Sequence, residues 1–343
     1  METSIYNSSV RFTHGQDMFE VVFHRTLRLP EDGQTHPLPP SLGVFPLKRV
    51  EDYRDKVPAS WNEHGGVFLP LWQREALWLG FRSSRRPFAT KVAAGKINAV
   101  SGKPWAEELA PSDTSGSGDP RQDYLVAPPQ PWLDGFNAGN GVIKQFVAMP
   151  LGMGYTVEGQ VTGEEKFGGI QIMALPPKPG LLEPKPRNPG ILRSHSSDIA
   201  GSLYSMSFMD QNIVEVSEMG LGAGGSMEQK IYPDPHGIDT WDTSASGRLY
   251  VHFINSQMYE QITGEKPPTS PITAQSYTSK GYPWYKLWDE EMGDVSASKT
   301  LQGVKTVGQK DKDHGFSQQQ DDSPVASMAH PVLIGTKVKN GVW

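Results

Sequence analysis

Along the first half of the chain, apolar residues recur at alternate positions in short runs that end at Gly, Pro or Asp. In FEVVFHRTLRLP (residues 19–30), Val21, Phe23, Leu27 and Leu29 share one face at the two-residue period of a half-buried strand, and Pro30 stops it. Arg25 is the charged intruder on that face. Further strands are predicted at 76–82, 88–100, 123–128, 141–150, 155–161 and 168–176. The run LPLWQREALWLGF (69–81) has no decisive period and leaves a helix open. This spacing predicts a mainly β fold, sandwich- or barrel-like, rather than βαβ units.

The second half is more mixed. Strands are predicted at 212–219 and 248–254, with a last one in HPVLIGTKV (330–338). A few short helices are expected here as well. SPITAQSYTSKGYP (270–283) has a cap in Ser270, a first-turn Pro271, an exit at Gly281 and a stop at Pro283. NSQMYEQITG (255–264) has Asn255 to cap it and Gly264 to end it. Residues 309–324 are polar enough to be read as mobile. Between the halves, the prolines of PPKPGLLEPKPRNPG (176–190) mark a linker or long loop. The division is therefore a β-rich domain at 1–175, a Pro-rich linker at 176–198 and a mixed region at 199–343, although both halves also fit one domain.

Composition narrows the function classes. With 36 Gly and 29 Pro in 343 residues, turns and short strands are favoured over long helices. A formal charge of −6 gives no general attraction to nucleic acid or an anionic membrane. The absence of cysteine excludes disulfides, thiolate zinc ligands and a cysteine nucleophile, so a metal must be held by nitrogen and oxygen. The N-terminus has no signal-peptide pattern and no segment has the apolar length of a membrane span, so the chain reads as soluble and cytoplasmic.

The densest candidate chemistry is GLGAGGSMEQKIYPDPHGIDTWD (220–242). Gly220, Gly222 and Gly225 stand in the register of the dinucleotide fingerprint, but that motif needs a helix after the glycines. Pro233 and Pro235 arrive too soon for one, so no Rossmann-type dinucleotide is expected. What remains is a tight glycine turn approached closely by a strand, a neighbouring subunit or an anion, with packing weighing most. Asp234, His236, Asp239 and Asp242, with His252 from the following strand, form a candidate ligand set for a divalent metal. Against it, Asp beside Pro or Thr commonly forms turns and caps.

Aromatic residues cluster at Trp72 and Trp78, and again at Tyr282, Trp284, Tyr285 and Trp288. Such rings suit a protein interface, a sugar-stacking surface or a large core. Ser296 and Lys299 fit S-x-x-K, but the partner motifs of serine acyltransferases are missing.

The chain also resembles a family of soluble bacterial and fungal proteins to which no activity is attached. The similarity rests on RTLRLPEDG (25–33), PLPPSLGVFPL (37–47), QREALWLGF (73–81), GKINAVSG (95–102) and QPWLDGF (130–136). It continues in QFVAMPLGMGYTVEGQVTG (145–163), GGIQI (168–172), the glycine stretch and ITGEKPP (262–268). No catalytic residue comes with it. The leading expectation is a β-rich binding or self-assembling protein, a homo-oligomer with Gly220, Gly222, Gly225, Trp284, Tyr285 and Trp288 at a contact surface. The alternatives are a metal-assisted hydrolase or lyase at 234–252, and a binder of a glycan or another small molecule.

Overall fold

The computed structural model describes residues 1–111, 122–185, 218–287, 292–316 and 332–334. β1 (Glu2–Tyr6) and β2 (Ser9–His14) form a hairpin around Asn7 and Ser8. Their φ angles of 45° and 62° match the mirror-image turns whose twist suits a two-residue connection. β3 (Asp17–Thr26) is the core of the predicted 19–30 strand, and β4 (Thr35–His36) and β5 (Lys48–Arg49) are two-residue pieces. After the helix α1 (Ala59–His64), the run that left a helix open becomes β6 (Val67–Leu71) and β7 (Ala76–Ser83), broken at Arg74 with its φ of 69°. There follow β8 (Phe88–Ala94), β9 (Ile97–Asn98), β10 (Leu125–Ala127), β11 (Trp132–Leu133), β12 (Gly135–Gly139) and β13 (Val142–Pro150).

The stretch 155–161 departs from its predicted strand: it holds the helix α2 (Val157–Thr162). Local capping outweighs the β-forming valines. Thr156 Oγ1 accepts the Gly159 N–H at 3.0 Å, and Gly163 leaves the helix at a φ of 81°. β14 (Ile170–Leu175) then matches the predicted strand at 168–176.

In the second half, β15 (Glu218–Glu228) and β16 (Gly247–Asn255) are the long strands. α3 (Ser256–Thr263) is capped by Asn255 and ends at Gly264, as its sequence predicts. α4 (Ala274–Ser279) is capped by Thr273 instead of Ser270, although Gly281 does take a positive φ of 70°. β17 (Tyr285–Leu287), α5 (Lys299–Gly303), α6 (Val307–Asp313) and β18 (Val332–Ile334) complete the order. Residues 309–313, read as mobile from their polarity, belong to α6, which carries a complete capping box at Thr306 and Gln309. The rest of that polar segment beyond Phe316, and strand residues 212–217, lie outside the described residues.

The main sheet runs β1-β2-β3-β7-β13-β15-β16-β14-β8-β10, and its main path is antiparallel throughout. β15 and β16 sit between β13 and β14, so strands from both halves of the sequence interleave in one sheet. Within 176–190, the described part is pinned: Lys178 N–H donates to the Thr240 carbonyl, and Lys185 N–H to that of Arg85.

The sheet folds over itself in a sandwich-like way without closing. Phe19 on β3 stacks on Phe88 of β8 at 5.5 Å, although β3 and β8 stand third and ninth along the path. The core between the folded layers includes Val21, Phe23, Leu79, Val92, Phe146, Ile172 and Val251. Arg25, the charged intruder on β3, is buried, and its Nε donates to Glu75 at 2.7 Å. Burial pushes the Glu75 carboxyl up, against the pull of Arg25. Among the described residues no helix is long and apolar enough to cross a membrane.

Candidate functional site

Gly220, Gly222 and Gly225 do not form a turn. They lie inside β15, paired along most of its length with β13, which corrects the predicted glycine loop. A glycine-rich segment becomes a strand here because its neighbours come too close for side chains. A Cβ at Gly222 would stand 3.0 Å from the Tyr155 carbonyl oxygen and 3.0 Å from Val307 of α6. At Gly220 it would press on Leu151 and Thr156, and at Gly225 it would fall inside contact distance of the Pro30 carbonyl oxygen. Lys144 pairs with Ser226 and Phe146 with Ala223, so Gly224 and Gly225 together face Gln145 in a β-bulge.

Beyond the strand, residues 229–234 are held chiefly by side chains. The Gln130 amide accepts from Tyr232 N–H at 2.9 Å and donates to the Lys230 carbonyl at 3.2 Å. Gln122 does the same for Asp234 N–H and the Tyr232 carbonyl, at 2.8 and 3.0 Å. Asp294 takes the Ile231 N–H at 2.8 Å, and Gln229 exchanges hydrogen bonds with Asp134. Gln122 and Gln130 each give this segment one donor and one acceptor, which is what a missing strand would have offered, and turn a second donor to Tyr124 or Trp132. Asp134 is buried, and that burial pushes its carboxyl up to about 7 against the stabilising Gln229 hydrogen bond.

The five predicted metal ligands do not come together. Asp234 Oδ2 accepts from Tyr124 Oη at 2.7 Å and Trp241 Nε1 at 2.8 Å, while Oδ1 takes the His236 N–H. Asp242 Oδ1 caps a turn through Ser244 and Ala245, and the Ser244 hydrogen bond holds its carboxyl below the usual range. His236 and Asp239 are exposed on the loop. His252 is buried against Trp61 at 4.5 Å and donates from Nε2 to the Gly65 carbonyl at 2.9 Å. Burial lowers its pKa to about 4. Among the described residues no three His, Asp or Glu side chains converge as a metal site.

In the aromatic segment Trp284 points inward, while Tyr282 and Tyr285 are half-buried. Trp284 is fully buried with Tyr277 and Leu38, and Tyr285 joins Leu38 through backbone hydrogen bonds. Trp288 lies outside the described residues. Trp78 has His24 flat on its ring at 3.7 Å, and Trp72 Nε1 is spent on the Pro268 carbonyl. Both rings are half-buried and in contact with protein. His24 is kept neutral, its pKa lowered to about 3 by burial first and by the Arg82 charge second.

Sequence reasoning passed over a polar knot built on the buried Tyr155 and Asp311. Tyr155 Oη donates to Asp311 at 2.7 Å, Arg74 grips the same carboxylate with both terminal nitrogens, and His314 Nδ1 stands 3.2 Å from the Tyr155 hydroxyl. Burial above all raises the Tyr155 pKa, so its hydroxyl stays protonated. The knot fastens α6 over Gly222.

It also passed over the seam where the sheet fails to close. β1 pairs with β2 and, among the described residues, with no strand on its other edge. Along this free edge runs a half-open groove of about 540 Å³. Thr3, Ser4 and Ile5 form one wall, and Leu47, Lys48 and Tyr53 belong to the other. In a two-residue hairpin the flanking pair, here Tyr6 and Ser9, is hydrogen-bonded, and antiparallel pairs then alternate. Thr3 and Ile5 therefore turn their N–H and C=O groups away from β2 and along the groove. Ile5 and Leu47, both packed on the core, are its aliphatic members, and Arg49, Glu51 and Asp52 also line it. The signal in the sequence was SIYNSSVRF, two alternating runs around a polar pair. Comparison of the chain with known protein families, curated proteins and solved structures finds no match.

Proposed function

We propose that this chain is a binding protein that takes an extended segment of a protein partner as an added strand along the free edge of β1. The observation that carries this reading is the groove beside Thr3 and Ile5, which combines unpaired main-chain groups with the aliphatic side chains of Ile5 and Leu47 in an otherwise polar lining. Main-chain hydrogen bonds then supply affinity, and alternate side chains of the guest supply selectivity by resting on Ile5 and Leu47. An exposed, unblunted edge is a liability for a chain that has no use for it. β1 has neither proline nor lysine to discourage pairing, and Glu2 is its sole charge.

The test is selection from a displayed library of random peptides on the immobilised full chain. Enrichment of peptides with apolar residues at alternate positions, whose binding is lost in Ile5→Pro and kept in Phe316→Ala, is the expected result. Phe316 is exposed and remote in sequence from the groove lining, so it serves as a surface control. Failure to enrich such peptides, or binding indifferent to Ile5→Pro, overturns the reading.

A further inference from the structure

Resting on the strand-addition reading, we infer that the segment β1 receives is β1 of a second copy, joined antiparallel about a twofold axis through Ser4. The edge groups decide the register. An antiparallel partner must place its own outward-facing residues opposite Thr3 and Ile5. A second β1 centred on Ser4 does so in both directions at once: Thr3 meets Ile5 of the other copy, and Ile5 meets its Thr3. Such a pair is isologous, and each of the two Thr3–Ile5 pairs exchanges two main-chain hydrogen bonds.

Charge supports the same register. With Ser4 at the centre, Glu2 of one copy stands opposite Tyr6 of the other. Arg11 lies over that Tyr6 ring, its guanidinium carbon 3.4 Å from the ring centroid. Arg11 directs its Nε toward Glu20 at 3.4 Å. Its terminal nitrogens make no hydrogen bond among the described residues. Glu2 is exposed and forms no ion pair there, so each copy offers the other's Glu2 a guanidinium that pairs with Glu20 through Nε alone, and does so twice. A register displaced by two residues loses both charge contacts and one of the two hydrogen-bonded pairs.

Five-residue strands bury little area, less than the roughly 1,000 Å² that marks a stable interface, so the association is weak and concentration-dependent. The experiment is sedimentation equilibrium of the full chain from about 5 to 500 µM, a range set by that small interface. A monomer–dimer equilibrium is expected, abolished by Ile5→Pro. Glu2→Lys and Arg11→Glu should each weaken it about tenfold, because each self-pairing brings like charges together at two contacts. An equimolar mixture of the two variants should recover heterodimers at wild-type strength, since both contacts then pair opposite charges. This recovery also guards against misfolding, because a misfolded variant could not complement the other.

A strict monomer at the highest concentration overturns the inference, and so does a dimer whose strength ignores the charge swap. The library selection separates the two levels. Peptides that still bind β1 in a monomeric protein leave the strand-addition reading standing and remove the second copy; no binding of either kind removes both.

Discussion

In β15 the backbone is satisfied mainly by β13, and several side chains are reduced to hydrogen so that α2, α6 and the Leu29–Pro30 segment can approach. In residues 229–234, which follow directly, much of the backbone is satisfied by amide and carboxylate side chains reaching from 122, 130 and 294. The first region depends on space and the second on polar chemistry. Mutations that add volume should therefore be damaging in the first, and mutations that remove a polar atom should be damaging in the second.

The largest effect is expected at Gly225→Val. Its side chain would enter the space of the Pro30 carbonyl oxygen and the Leu29 side chain, which cannot be vacated by a rotamer change. A loss of ~3 kcal/mol or more is expected in urea unfolding, at the upper end of overpacking effects. A loss below ~1 kcal/mol would show that the bulge relaxes and that space is not what demands glycine there.

Asp134→Asn, at the junction of the two regions, comes next and depends on pH. The folded carboxyl is raised from 3.8 to about 7, so the folded state binds its proton more tightly than the unfolded state does. The stability it contributes is complete below about pH 4 and declines as pH rises through 7. Asparagine keeps an acceptor for the Gln229 amide and cannot ionise. The variant should be nearly neutral at pH 4 and more stable than wild type at pH 8 by roughly 2–3 kcal/mol, somewhat below the full linkage value. Equal effects at both pH values would remove the argument from burial. His252 acts with the opposite sign: its contribution is present above about 6.5 and is lost as pH falls toward 4.

The difference between the regions also explains what could be read from the sequence. Alternation marked β3, and short apolar runs bounded by Gly, Pro or Asp marked β13, β14 and β16, whereas the run holding β7 had no decisive period because that strand is buried at most of its positions. β15 was hidden because glycine has no side chain to show a period, and its burial comes from what packs on it. α2 was mistaken for a strand because Val157 and Val161 outweighed, on paper, the capping by Thr156 and Glu165. The glutamine staples were invisible, since Gln122, Gln130 and Gln229 look like ordinary polar residues until their partners, some 100 residues away, are in place. Two halves separated by a proline-rich stretch gave no sign that β15 and β16 would enter the sheet between β13 and β14.

Asp234→Ala should cost about 2 kcal/mol, because it leaves the Tyr124 hydroxyl and the Trp241 indole N–H without their acceptor. Tyr124→Phe measured alongside sharpens the point. Losing the donor that uses Asp234 should cost less than losing the acceptor that serves three, and a reversed order would mean that Asp234 does not anchor the loop.

The smallest effect is expected at the exposed tip of the same loop, in the double variant His236→Ala/Asp239→Ala. Asp234 and Asp242 are spent on hydrogen bonds and His252 is buried on Trp61, which leaves the His236 imidazole, edge-on to Trp241, and the Asp239 carboxylate as the two exposed groups of the predicted set. Two side chains on an exposed turn are too few for the four-coordinate site zinc favours. Their removal should shift Tm by no more than about 2 °C, as for exposed side chains whose one buried neighbour is the Trp241 ring touched by His236. Zinc or manganese should shift wild type and variant alike, since a ligand confined to the folded state would raise Tm in proportion to its affinity. A metal-dependent rise seen only in the wild type would return the loop to the class of polar sites that act on something outside the chain, and would end its contrast with β15 as structural support of another kind.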